Sequence, residues 1–200
     1  MASIRWLSIL TLAWALPPFA SAEDVARLGE QTPIENDARQ AVELYTKAIQ
    51  SHPNDPAVYR GRAEAYQRLE QFDLSLNDLN VCLRLAPKDA LALASRARLW
   101  LRTGHNREAI ADATASLQLC ANNAGAYGTR GLAYERSNDF ARAVADYSES
   151  IRLHPTGLKY MLRGRCQEML GNRNLAVADY NKGNSFQTVA SDSRTNRPGN

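Results

Sequence analysis

The sequence predicts an all-α solenoid of stacked antiparallel helix pairs, and three observations carry that prediction. Pro53, Pro87 and Pro155 stand on a 34-residue grid whose remaining member is Ala121, set in a similar stretch (LAPKDA against LCANNA). A fixed period of that size marks stacked supersecondary units, none of which can bury its apolar face alone. Within each period two apolar-periodic stretches of about a dozen residues read as amphipathic helices. Between them stand Glu70, Gly104, Asn138 and Gly171, where the chain must turn back. These positions call for the left-handed conformation that ends a helix.

In chain order, the first element is of another kind. Arg5 precedes an apolar run from Trp6 to Leu16, followed by Pro17, Pro18 and the small-residue ending Phe19, Ala20, Ser21, Ala22. This arrangement reads as a secretory leader over residues 1–22, cleaved before Glu23. Its 11-residue apolar run is too short for a bilayer core, which takes about 20. The chain is therefore expected in the periplasm or secreted, with no membrane attachment after cleavage and no cysteine placed to carry a lipid at the new terminus. Residues 23–55 read as a divergent N-terminal unit. Asp37 to Ser51 fits a second helix, with Asn36 or Asp37 as its cap, behind a poorer first helix in EDVARLGEQ.

Four fuller units follow, over 56–89, 90–123, 124–156 and 157–186, the last with its columns 33 rather than 34 residues on. Tyr59, Leu93, Tyr127 and Tyr160 share a column, as do Ala63, Ala97, Gly131 and Gly164, and as do Ser75, Ala109, Ala143 and Ala176 after Ala41. Small residues sit where two helices approach closely, and proline closes a unit because it cannot continue a helix. The column of Tyr66, Trp100 and Tyr134 places Trp100 between helices. At the far end the column of Ile49, Leu83, Leu117 and Ile151 becomes Asn184, and that of Ala48, Cys82, Ser116 and Ser150 becomes Gly183. This is the polar outer face of a unit on which nothing stacks. Residues 187–200, rich in Ser, Thr, Asn and Arg, are expected to lack structure.

The early aromatic, the small residue, the second aromatic, the alanine, the bulky column of Tyr45, Leu79, Tyr147 and Tyr180, and the closing proline together resemble the tetratricopeptide repeat family, over roughly residues 37–186. The resemblance implies a right-handed superhelix of about five helix pairs that binds another protein on a concave face formed by its first helices. The corresponding positions are Arg60, Glu64, Gln67 and Arg68; Ala94, Arg98, Leu101 and Arg102; Gly128, Leu132, Glu135 and Arg136; and Met161, Arg165, Glu168 and Met169. Such a face, basic with a few apolar anchors, suits a peptide or helix bearing apolar side chains and acids. Some family members clamp a chaperone's C-terminal carboxylate with Lys and Asn. The matching positions here hold Arg60, Glu64, Ser95, Gly125 and Thr129, so only Arg60 keeps that chemistry and the clamp does not carry over.

One charged pattern belongs to the fold. Arg62, Arg96, Arg130 and Arg163 are each followed 16 residues later by Asp78, Asp112, Asp146 and Asp179. In a helix pair folded at the turn residue, positions eight either side come abreast, so each Arg can meet the Asp of its own unit. A bridge from each Asp to the Arg of the next unit is also geometrically open, but it would leave Arg62 and Asp179 over.

Catalysis finds no footing. His52 and His154 precede closing prolines, where an imidazole suits a helix C-terminus. His105 lies in a turn, and none of the three has a nucleophile or carboxylate at a recurrent offset. The glycines of AGAYGTRG fall inside a helical pattern and not after a strand, so they form no phosphate cradle. Cys82, Cys120 and Cys166 show no metal-ligand or redox spacing, and Cys82 occupies a small-residue core column. Stacked units lie about a helix diameter apart, beyond the reach of a disulfide. The chain is accordingly expected to be no enzyme and to need no cofactor or metal. Loss of the leader removes Arg5 and no acid, leaving 23 bases against 21 acids, a charge of +2 that gives nucleic acid little to bind. The expected function is a protein interaction scaffold. Its alternative is a structural envelope component that self-associates through an uncovered end or binds cell-wall glycan, for which few aromatics remain outside core columns.

Overall fold

The computed structural model describes residues 35–195. The leader, the expected first helix of the divergent unit and residues 196–200 lie outside the described residues. Within them the chain is helical throughout: α1 (Glu35–Ser51), α2 (Pro56–Arg68), α3 (Phe72–Leu85), α4 (Ala90–Arg102), α5 (Asn106–Leu119), α6 (Ala124–Arg136), α7 (Phe140–Leu153), α8 (Gly157–Met169) and α9 (Arg173–Thr195).

Local chemistry fixes where each first helix begins and ends. Asp55, Asp89, Asn123 and Thr156 stand just before α2, α4, α6 and α8, and each side chain accepts a backbone N–H of the first turn. Such caps satisfy donors that the helix itself cannot. At the other end Glu70, Gly104, Asn138 and Gly171 take φ values of 57°, 85°, 60° and 80°. Paired bonds close each turn, such as Asn172 N–H to the Gln167 carbonyl and Gly171 N–H to the Glu168 carbonyl. That is the Schellman arrangement, repeated at all four turns. Glu70 and Asn138 adopt the left-handed conformation although each carries a Cβ, because the two bonds hold the backbone there.

The last helix departs from expectation. It runs nine residues into the stretch expected to be unstructured, since the first residue that cannot continue a helix is Pro198. Its outer side is also less polar than its sequence suggested. Asn184 is exposed, but so is Val177, at 57%, in the column where Leu76, Ile110 and Val144 are each partly covered by core clusters.

Packing within a unit is set by matched sizes 16 residues apart. Ala63 shares a core cluster with Leu79. Where the second helix carries a buried ring, Tyr147, or a half-buried one, Tyr180, the partner is Gly131 or Gly164. A Cβ at those glycines would come within about 3.1 Å of the ring. Between units, α4 touches α2 on one side and α6 on the other, whereas second helices make no comparable contact with one another. From α2 to α6 the first helices are thus drawn together and the second helices apart, which curves the array with α2, α4 and α6 on the inner side; α8 is tied to α6 by the Arg165–Glu135 pair.

Candidate functional site

Two arginine systems occupy the first helices. The first joins units from within. Arg62 Nε and Nη2 donate to the two oxygens of Asp78, both at 2.7 Å. Arg96 grips Asp112 in the same fork at 2.7 and 2.9 Å, Arg130 grips Asp146 at 2.8 and 2.7 Å, and Arg163 grips Asp179 at 2.9 and 2.6 Å. The pairing open between units is not used, because the remaining Nη1 takes a different acceptor there. Nη1 donates to Thr46, Asn80, Thr114 and Ser148 in turn, each on the second helix of the preceding unit. Each guanidinium therefore locks one unit internally and sets its register on the one before. The hydrogen bonds to Asp78, Asp146 and Asp179 hold Arg62, Arg130 and Arg163 above the usual arginine range, with burial pulling the other way.

The second system lines the inner surface. Two adjoining depressions, of about 310 and 380 Å³, share Glu64 and Arg98 and form one groove over α4, walled by α2 and by the start of α6. Arg98 is exposed, and its only polar contact among the described residues is Gln67 Oε1 at 3.4 Å. Glu64 accepts the Ser95 hydroxyl at 3.2 Å. Arg60 is drawn to Asp89, the cap of α4, at 3.3 Å. Arg102 turns back to the preceding unit, donating to the Gln67 carbonyl and to Glu70 and lying 4.6 Å over the Phe72 ring.

A model of the tetratricopeptide repeat family matches residues 129–184. The chain is 32% identical over 69 residues to small glutamine-rich tetratricopeptide repeat-containing protein 2 of Mycosarcoma maydis, covering 34% of this chain and 20% of that one. It is 41% identical over 54 residues to tetratricopeptide repeat protein 36 of Caenorhabditis elegans, covering 26% of this chain and 30% of that one. The chain carries tetratricopeptide repeats, matched over residues 129–184. The crystal structure of MamA superposes with a TM-score of 0.73 at 19% identity, over 87% of this chain and 99% of that one, which is a likeness of fold. The chain spans a third or less of the length of these curated relatives.

The array uses its expected partner-binding residues unevenly. Arg60, Glu64, Arg68, Arg98 and Arg102 come together in the groove. Leu101 does not belong there: it is 6% exposed and packs with Ala109 and Ala133. Its neighbour Trp100, expected between helices, is only half-buried and meets His105 edge-on at 5.1 Å. One residue is about 100° of helix, so the two exchange faces. Arg136 donates to the Leu101 carbonyl, repeating what Arg102 does one unit earlier. Arg165 pairs with Glu135, whose other oxygen accepts the Tyr147 hydroxyl at 2.7 Å. Burial, then that bond, raises the Tyr147 hydroxyl above its usual range. Glu168 accepts the hydroxyl of Tyr180, and Leu132 packs half-buried between two core clusters. The inner face beyond the groove is thus largely committed to bracing units together.

Sequence reasoning missed Leu91, which lies 55% exposed at the groove's other end, and Asn123 beside it. Leu91 sits seven residues before Arg98, two turns back on the same helix face, which was a usable signal. The polar column Thr46, Asn80, Thr114, Ser148 was legible too, on the same 34-residue period. All three cysteines are free thiols. Burial pushes Cys82 and Cys166 up to about 12, while Cys120 is exposed. Among the described residues no group of His, Cys, Asp and Glu could hold a metal, and no helix is long and apolar enough to cross a membrane.

Proposed function

We propose that this protein is a non-enzymatic adaptor that works outside the cytoplasm and holds a partner protein in the groove over α4. The observation that carries the reading is Arg98, a guanidinium exposed in a groove with no carboxylate partner among the described residues. The four arginines of the inner column each have a carboxylate, and so do Arg60, Arg102 and Arg165. A charge left open in a concave site attracts an acidic group of a partner. Leu91 and Ala94 supply apolar surface next to it. The site outside the cytoplasm rests on the leader pattern of residues 1–22. Expression of the full chain in a secreting host should give a product whose N-terminal sequence begins at Glu23; recovery of intact Met1 in a membrane fraction would refute export.

Binding is tested by recovering partners from envelope extract on immobilised residues 23–200, with mass spectrometry of what is retained. The same experiment on Arg98→Glu should lose the partner, and washing the unaltered protein with increasing salt should release it progressively. Equal recovery on Arg98→Glu would rule out the groove.

A further inference from the structure

We infer that the groove is polarised along α4 and takes an internal, extended segment of its partner in which an acidic and an apolar side chain stand about three residues apart. The inference rests on the reading of this groove as the partner site. Its floor is one face of α4, since Leu91, Ala94, Ser95, Arg98 and Arg102 recur at the spacing that keeps side chains on one side of a helix. The two ends of that face differ. At the amino-terminal end Leu91 is 55% exposed beside Gly125 and Ala126 of the neighbouring helix, whose small side chains leave the leucine uncovered. At the carboxy-terminal end stands Arg98.

Of the groove's arginines, Arg60 faces Asp89, Arg102 is engaged by Glu70 and the Gln67 carbonyl, and Arg68 has an interaction of its own. Arg98 meets only an amide oxygen at 3.4 Å and is the guanidinium able to take up a carboxylate as a fork. Between the ends Glu64 has one oxygen engaged by Ser95. Its charge disfavours a terminal carboxylate at the groove's centre, and its second oxygen can accept an N–H from a backbone passing over it. An internal segment satisfies both conditions and a carboxy-terminus does not.

The spacing follows from helix geometry. Leu91 and Arg98 are seven residues apart, about 10 Å along the axis at 1.5 Å per residue. An extended chain in the polyproline II conformation covers that distance in about three residues at 3.1 Å each and, with three residues per turn, brings both side chains to one side, whereas a β-strand would point them to opposite faces. A helical ligand laid along the groove would need about seven.

The test uses octapeptides of Gly and Ser, acetylated and amidated so that they carry no terminal charge, each with one Leu and one Asp. The two residues stand one or three apart, in both orders, with Asp→Asn controls. Dissociation constants are measured by NMR titration against residues 23–200. One order of the three-apart peptide should bind about tenfold more tightly than both the adjacent version and the Asn control, the size of one charge-assisted hydrogen bond. Arg98→Ala should abolish the Asp over Asn preference, and Leu91→Ser should weaken the three-apart peptide without abolishing that preference. Equal binding at both spacings, or an Asp preference that survives Arg98→Ala, would overturn the inference, as would failure of every peptide to bind. If partner recovery still depends on Arg98 while spacing does not matter, the groove remains the partner site and only its polarity and spacing are wrong. If partner recovery is also indifferent to Arg98, the reading of the groove falls with them.

Discussion

Arg96 and Arg98 leave the same helix two residues apart and do different things. Arg96 forks onto Asp112, reaches Asn80 in the preceding unit and is 23% exposed; Arg98 lies open on the inner surface, its only hydrogen bond among the described residues being to an amide oxygen at 3.4 Å. Two residues turn a helix by about 200°, so the pair points to opposite sides of α4. One side faces the joint between helices, where removal from water makes an unmatched charge costly and a carboxylate is supplied. The other faces solvent, where an unmatched charge costs little and stays available. Residue type does not separate fold from function on this helix, but direction does.

The largest way to break this comparison is to strip the inner column of its acid. Asp146→Ala leaves Arg130 with Thr114 and the Tyr127 ring but no carboxylate in a largely buried joint and should destabilise by about 3 kcal/mol in a urea titration. Arg130→Ala removes the charge along with its partner's fork and should cost less, about 2 kcal/mol. A loss under about 0.5 kcal/mol for both would mean that the joint contributes nothing to folding.

The contrast between inside and surface extends to the thiols. Cys82 and Cys166 are raised in the folded state, so they stay protonated at a pH where the unfolded chain's thiols ionise. Their contribution to stability is complete below about pH 9 and is lost as pH rises through about 12. Urea midpoints should fall over that window. At pH 8 a thiol reagent should modify Cys120 at once and the other two only on unfolding. Rapid modification of three thiols in the native protein would show that the core columns are wrongly placed.

A smaller effect sharpens the comparison between the two arginine systems. Arg136→Ala removes a donor to a helix-end carbonyl of the neighbouring unit and should cost about 1 kcal/mol. Arg98→Ala should stay within about 0.5 kcal/mol of the unaltered protein.

The period, the turn positions and the Arg–Asp joints were legible in the sequence because each repeats, and repetition turns a weak local preference into a column. The partner face was legible only in part. Arg68, Arg102 and Arg136 share one column, yet the role of each depends on which carbonyl or carboxylate the neighbouring unit brings within reach. That distance belongs to the stacking of two units and is not written in either. Trp100 and Leu101 show the same limit at single-residue scale. Two adjacent large apolar side chains fit the helical pattern equally well, and the tighter seat against Ala109 and Ala133 went to the leucine.

The central claim, that direction on α4 divides fold from function, is tested most directly by melting Arg96→Ala and Arg98→Ala side by side and measuring partner recovery per folded molecule for each. Arg96→Ala should lower Tm by about 4 to 8 °C, as expected for about 2 kcal/mol in a chain of this size, and bind normally once the folded fraction is accounted for. Arg98→Ala should melt within about 1 °C of the unaltered protein and lose the partner. An Arg98→Ala protein that melts early, or one that keeps its partner while a fully folded Arg96→Ala loses it, would contradict the account.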